Sequence, residues 1–391
     1  MVPLRPRTRR RLGLIALALL VVAGLGIGLA RWTNWTTWPA GSPGSPENRP
    51  PAAEPRQPSC ADRVAQMPIR AQLAQRLMVG VNPARPDSAR AVVAETGIGG
   101  IFIGGNPTDI LKGDALAPMR AAGPLPVTVA VDDEGGRVQR IDELDGSIPS
   151  ARAMAATMTP AQVRELAAKR GRELRARGIT MDMAPVVDMT DPGASSGGVI
   201  GDRAFGSDPD RVTRYAGAFA AGLRDAGVYP VLKHFPGHGR SSGDSHKGEV
   251  TTPPLNALLG ADLAPYRNLM AAEPTAVMVG HLIVPGLTDG LPATVSPAAY
   301  RLLRGDLGFG GLVYTDDLGA MRAITDRYSL PDAVFAALRA GADVALWTSG
   351  EPVPPVLDRL QAAVQSGQLP ARDVAAATAR VLAAKGVCAP A

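Results

Sequence analysis

The 391-residue chain has four histidines, His234, His238, His246 and His281, and three of them fall within thirteen positions. Histidine titrates near neutral pH, so it is both a natural proton carrier and a frequent metal ligand. Metal ligation fits poorly. His234 and His238 are separated by Phe-Pro-Gly, so they cannot form an i, i+4 helical pair, and no His-x-His follows the first apolar run. No metal is expected. Asp244-Ser245-His246 points instead to proton transfer: a carboxylate two residues before a histidine orients the ring in a tight loop and raises its basicity. Gly237, Gly239, Gly243 and Gly248 flank this segment, as expected of a mobile loop that carries an acid/base.

A second candidate is the pair Asp316 and Asp317, which follows an apolar run in VYTDDLGA. Neighbouring strand residues point to opposite sides, so the two should differ in role. One is expected to cap the next helix and the other to act as a carboxylate nucleophile; the spacing does not say which. Asp132, Arg140, Arg203, Lys233 and His234 add charge nearby. An Asp accepting from sugar hydroxyls, with Arg and Lys clamping others, suits carbohydrate. Glu134 and Asp188 read as structural.

The elements that must position these groups alternate along the chain. Apolar, β-rich runs are predicted as strands over Leu77–Val81, Gly99–Ile103, Val127–Val131, Ile179–Val186, Val228–His234, Ala276–Ile283, Leu312–Thr315 and Ala342–Trp347, with amphipathic helices such as Pro160–Arg177 and Arg211–Ala226 between them. Strands apolar on both faces and alternating with helices imply a parallel α/β sheet, and eight repeats fit a single (β/α)8 barrel of the TIM type. No Gly-x-Gly-x-x-Gly opens a helix after the first strand, which argues against dinucleotide binding. DDEGGRVQR, KHFPGHG, HLIVPG and TDDLGAM each fall where a strand ends. That is the barrel face on which the loops share one mouth.

The charge is unevenly placed. Six arginines and no acid occupy the first 31 positions, and the remainder has 35 basic against 36 acidic residues, so a nucleic-acid partner is not expected. Leu12 to Ala30 is an uncharged apolar run after the arginine cluster, about one membrane thickness long as a helix, and Trp32, Trp35 and Trp38 follow it. Residues 1–31 are therefore read as a basic segment with a transmembrane or signal-anchor helix, and 32–59 as a Pro/Gly/Ser-rich tether. Residues 60–391 are read as an extracytoplasmic barrel domain on a single-pass anchor, or as a secreted domain if the anchor is cut. No cysteine directly follows the apolar run, which argues against lipid anchoring. The two cysteines, Cys60 and Cys388, bracket the domain, and outside the cytosol a bridge between its ends is expected.

The set DDEGGRVQR, APVVDM, DRAFG, KHFPGHG, GDSH and YTDDLGAM, in this order, closely resembles glycoside hydrolase family 3, in particular its β-N-acetylglucosaminidase branch (the NagZ type), over roughly residues 60 to 385. The resemblance implies a (β/α)8 barrel and a retaining mechanism through a covalent glycosyl-enzyme, with no metal or organic cofactor. It makes Asp316 the nucleophile, His246 the acid/base and Asp244 its dyad partner. Asp132, Arg140, Arg203, Lys233 and His234 would bind the terminal N-acetylglucosamine. Two departures stand out: Asp202-Arg203-Ala204 replaces the common Asn-Arg-Ser, and Arg240 stands where an Asp often follows Gly-His-Gly. The implied substrate is a peptidoglycan-derived oligosaccharide or muropeptide with a non-reducing β-linked N-acetylglucosamine. Rival expectations are a phosphorylase using the same residues, a non-catalytic wall-binding module and a metal hydrolase.

Overall fold

The structure, a computed structural model, describes residues 58–106, 109–194, 198–272 and 274–389. Eight parallel strands run over Leu77–Gly80, Gly100–Ile103, Thr128–Val131, Met181–Asp182, Tyr229–Phe235, Ala276–Val279, Leu312–Asp317 and Val344–Trp347. They are called strands one to eight below. Each pairs with its sequence neighbours, and strand eight closes on strand one with Ala345 opposite Leu77. This is the α/β barrel expected from the sequence.

Alternation along each strand sends apolar side chains to both faces. Met78, Phe102, Ala130, Met181, Val231, Met278, Leu312 and Tyr314 fill the interior. Their strand neighbours Leu77, Ile101, Val129, Leu232, Val277 and Val313 instead join the layer beneath the helices. The helices between strands obey local rules. Pro160–Ala176 starts with a capping box, in which the Thr159 hydroxyl accepts from the Gln162 amide and Gln162 answers to the Thr159 amide at 2.8 Å. Pro209–Asp225 packs beside it after Asp208, whose carboxylate accepts from the Asp210 amide at 2.7 Å.

All eight strands differ from their expected spans by at least one residue at an end, and three differ in how the chain runs on beyond them. The fourth is only Met181–Asp182, because Pro185 lacks the N–H a ladder needs; one isolated bridge, Val186 to Lys233, continues the direction. The sixth ends at Val279. The His281 ring then turns inward, and Leu282–Ile283 leaves to pair with Val250–Thr251 in a separate two-stranded sheet. The seventh runs on to Asp317, so the Asp pair ends the strand rather than following it.

The two ends of the domain meet. A disulfide joins Cys60 to Cys388, with Cα atoms 5.0 Å apart, and Ser59 bridges Ala389. Leu125, which precedes strand three, packs in the same cluster, and the Lys385 amine donates to the Gly99 carbonyl, just before strand two. The ends therefore sit at the amino-terminal face of the barrel. Residues 1–57, with the expected anchor and most of the tether, lie outside the described residues. No described helix is long and apolar enough to cross a membrane.

Candidate active site

A cavity of about 340 Å³ opens at the carboxyl ends of the strands, where a barrel gathers its loops. Its walls include Asp132, Arg140, Arg203, Lys233, His234, His246 and Asp316, residues spread over almost 190 positions of sequence. Asp244 stands behind His246. A second cavity of about 660 Å³ lies at the amino ends, against Thr128, Met181 and Leu312, and holds none of these groups.

Strand seven separates the two aspartates. Asp317 is consumed by structure: its carboxylate accepts from the amides of Gly319 (2.9 Å), Ala320 (3.2 Å) and Thr348 (3.1 Å) and from the Thr348 hydroxyl. Asp317 thus pins the turn after the strand and the segment after strand eight. It is not the expected helix cap: the next helix, Arg322–Thr325, starts at Met321 with no side-chain cap. Asp316 faces the cavity, and its Oδ1 accepts the Asp317 amide at 2.9 Å. Burial alone would raise its carboxyl, but His234, His281, the Asp317 amide and Lys233 outweigh that and hold it at about 2. It is ionised at any ordinary working pH.

Across the cavity, charges are interlocked. The Lys233 amine lies 2.5 Å from Asp132 and 2.6 Å from Glu134. Arg203 grips Glu134 through two parallel N–H···O bonds of 2.7 and 2.8 Å. Burial opposes the charge on Glu134, yet Arg203 and Lys233 prevail and hold its carboxyl far below the usual range. Burial likewise opposes the charge on Lys233, and Asp132 and Glu134 more than restore it. Arg140 reaches Asp132 only at 3.8 Å, and its Nε is buried without a protein partner among the described residues. Beneath this layer a fully buried ion pair joins Arg170 to Asp133 at 2.7 Å, which ties strand three to the helix Pro160–Ala176.

The histidines divide by environment. Asp188 takes the His234 Nδ1–H at 2.7 Å and the His234 amide at 3.2 Å, which leaves Nε2 for the cavity. Glu134 and Asp188 are thus holders of site residues, consistent with their structural reading. His281 is buried, and its Nε2–H donates to the Asp317 carbonyl at 2.9 Å. His246 is different: its side chain is 64% exposed, on the loop after strand five. Its Nδ1–H donates to Asp244 Oδ1 at 2.9 Å, and its own amide donates to the same oxygen at 3.0 Å. These bonds outweigh partial burial and hold the Asp244 carboxyl below its ordinary value. No group of His, Cys, Asp and Glu suited to a metal ion occurs among the described residues.

Sequence reasoning missed the apolar wall of Phe102, Met278, Met321 and Leu346, and Thr348 beside it. Their only signal was position: Phe102, Met278 and Leu346 lie near the carboxyl ends of strands two, six and eight.

Residues 68–384 match the glycosyl hydrolase family 3 N-terminal domain. The chain belongs to glycosyl hydrolase family 3. It is 54% identical to beta-hexosaminidase LpqI of Mycobacterium tuberculosis over 346 residues, 86% of this chain and 88% of that one. A beta-hexosaminidase of Alkalilimnicola ehrlichii is 39% identical over 73% of this chain and 84% of its own. Among solved structures, a family 3 member from Mycobacterium smegmatis superposes with a TM-score of 0.78 at 55% identity, covering 84% of this chain and 99% of that one. A beta-N-acetylhexosaminidase from Beutenbergia cavernae gives 0.75 at 30% identity, covering 82% and 99%. The family read from the motifs is therefore the family found, and the enzyme class, a glycoside hydrolase of the β-N-acetylhexosaminidase type, stands with it.

Proposed function

We propose that the chain is an exo-acting, retaining β-N-acetylglucosaminidase that removes terminal non-reducing β-linked N-acetylglucosamine from peptidoglycan fragments. One observation carries this reading: an ionised Asp316 and a carboxylate-oriented His246 line the same cavity. In the first step an Asp316 oxygen bonds to the anomeric carbon as the glycosidic C–O bond breaks. His246 Nε2–H gives its proton to the leaving oxygen. In the second step His246 Nε2 takes a proton from water, the water oxygen bonds to the anomeric carbon, and the ester to Asp316 breaks. Asp132, Lys233, Arg203, His234 and Arg140 are the sugar-binding wall.

Most retaining glycosidases use a second carboxylate where this site would use an imidazole. A neutral base does not repel an anionic leaving fragment, which suits the lactyl carboxylate of a muramic acid residue. Two experiments test the reading. Incubation of the protein with muropeptides should release free N-acetylglucosamine; N-acetylglucosamine 1-phosphate as the main product in phosphate buffer would overturn hydrolysis. Asp316→Ala should abolish turnover, and wild-type-like rates would refute its role as nucleophile. From the sequence alone we also propose a single-pass anchor with the barrel outside the cytosol; recovery of full-length protein in the soluble cytosolic fraction would refute it.

A further inference from the structure

The middle residue of Asp244-Ser245-His246 has no part in the chemistry above, yet it is the most buried of the three. Ser245 is 0% exposed, while the side chains of Asp244 and His246 are 22% and 64% exposed. Its hydroxyl lies 3.0 Å from Nε2 of His238, a buried imidazole at the base of the same loop. The other ring nitrogen, Nδ1, lies 2.9 Å from the Ser241 hydroxyl, which is also 3.2 Å from the Gly243 carbonyl. A carbonyl only accepts, so Ser241 gives its proton to Gly243 and accepts the His238 Nδ1–H. His238 Nε2 then accepts the Ser245 O–H. Burial, with His234 nearby, lowers the pKa of His238 and favours this neutral ring.

Two further bonds fix what this contact joins. The His238 amide donates to Asp188 at 2.7 Å, the carboxylate that also holds His234. The Ser245 carbonyl accepts the Ala323 amide at 3.1 Å, on the segment after strand seven, which carries Asp316. Ser245 is therefore tied at once to the end of strand five and to the stretch beyond the nucleophile strand.

We propose that Ser245 and His238 form a pin that sets the Asp244–His246 dyad against Asp316, making both of them positioning residues for proton delivery. This rests on His246 being the general acid. A single bond between two neutral groups holds the loop in place while leaving the exposed ring of His246 free to move over the cavity.

The test compares kcat/KM on two substrates, a β-1,4-linked N-acetylglucosamine disaccharide and a dinitrophenyl N-acetylglucosaminide. The aryl leaving group needs almost no protonation. Ser245→Ala should lose roughly 10- to 100-fold on the disaccharide and less than about threefold on the aryl substrate, a part of the 10²- to 10⁴-fold worth of a general acid. His238→Gln should show the same selectivity. The double variant should be no worse than about twofold below the poorer single one, since both substitutions break one bond. Equal losses on the two substrates, or no loss on either, would overturn the pin. His246→Ala is the control. If it loses both substrates equally, the acid assignment itself falls; if it is selective and Ser245→Ala is not, only the pin falls.

Discussion

Asp188→Asn isolates what one buried carboxylate does for the proposed sugar-binding wall. Asp188 accepts three N–H groups, from the His234 ring, the His234 amide and the His238 amide, at 2.7, 3.2 and 2.7 Å. Burial opposes its charge, but His234 and His238 outweigh that and hold it ionised. Asparagine keeps the shape and one acceptor. If that oxygen stays with the two amides, an NH₂ now meets Nδ1, and the ring must surrender its Nδ1 proton and place it on Nε2. Atom Nε2 then faces the cavity as a donor instead of an acceptor. A charge-assisted bond to a buried group is worth about 1.5–3 kcal/mol, and each 1.4 kcal/mol is about tenfold. A loss of about 1.5–3 kcal/mol is therefore a fall of roughly 12- to 150-fold in kcat/KM. The fall should be similar for disaccharide and activated aryl substrates, because sugar binding and not leaving-group protonation is damaged. The substitution also removes a buried charge, so Tm should move by less than about 1.5 °C, the equivalent of about 1 kcal/mol for a domain this size. Steady-state kinetics on both substrates with calorimetry on the same samples measures all three quantities. A variant within threefold of wild type would refute a requirement for the His234 tautomer, and a loss confined to the disaccharide would place Asp188 with the acid.

The remaining predictions concern pH and the bridged ends. The Asp316 carboxyl, held at about 2 in the fold against about 3.9 for a free Asp, is already ionised at pH 4. With an activated aryl substrate, kcat/KM should show no nucleophile-derived acid limb between about pH 4 and 7; such a limb, present in His246→Ala as well, would refute this. Because its folded pKa is depressed, Asp316 adds stability above about pH 4, and that share is lost as pH falls towards about 2. Acid unfolding of Asp316→Asn should accordingly be less steep in that window than wild type. Replacing Cys60 and Cys388 by Ser opens a link across 328 positions. Chain entropy puts the link at about 5–6 kcal/mol, and a domain this size loses roughly 0.7 kcal/mol per degree, so Tm should fall by up to about 8 °C. Activity at 25 °C should be unchanged, since the bridge lies at the face opposite the site. A calorimetric shift under about 1 °C would show that packing alone holds the ends.

Much of the architecture was legible because barrel physics writes itself into sequence. Strands apolar on both faces, such as Val127–Val131, leave polar residues only where they end, so Asp132, Lys233 and Asp316 announced the mouth. The boundaries that failed did so for local reasons. Pro185 cut strand four short, and the inward turn of His281 split the sixth run, effects of backbone donors and tertiary bonds that apolarity does not encode. The division of labour between Asp316 and Asp317 depends on which one meets Gly319, Ala320 and Thr348, and Thr348 lies 31 positions away. Ser245 left no signal of its own; only burial beside His238 distinguishes it from any loop serine. The anchor expected over Leu12 to Ala30 falls outside the described residues.

The meeting of Ser59 with Ala389 at the floor of the barrel has a practical consequence for handling the protein. Both ends leave from the side remote from the cavity at the carboxyl ends of the strands, so a fusion partner, a dye or a surface linkage attached there leaves its mouth clear. Ends already spliced by a covalent bond also invite circular permutation: the chain can be joined at the floor and reopened in an exposed loop such as that around Gly367, between the helices Val353–Gln365 and Ala371–Ala384.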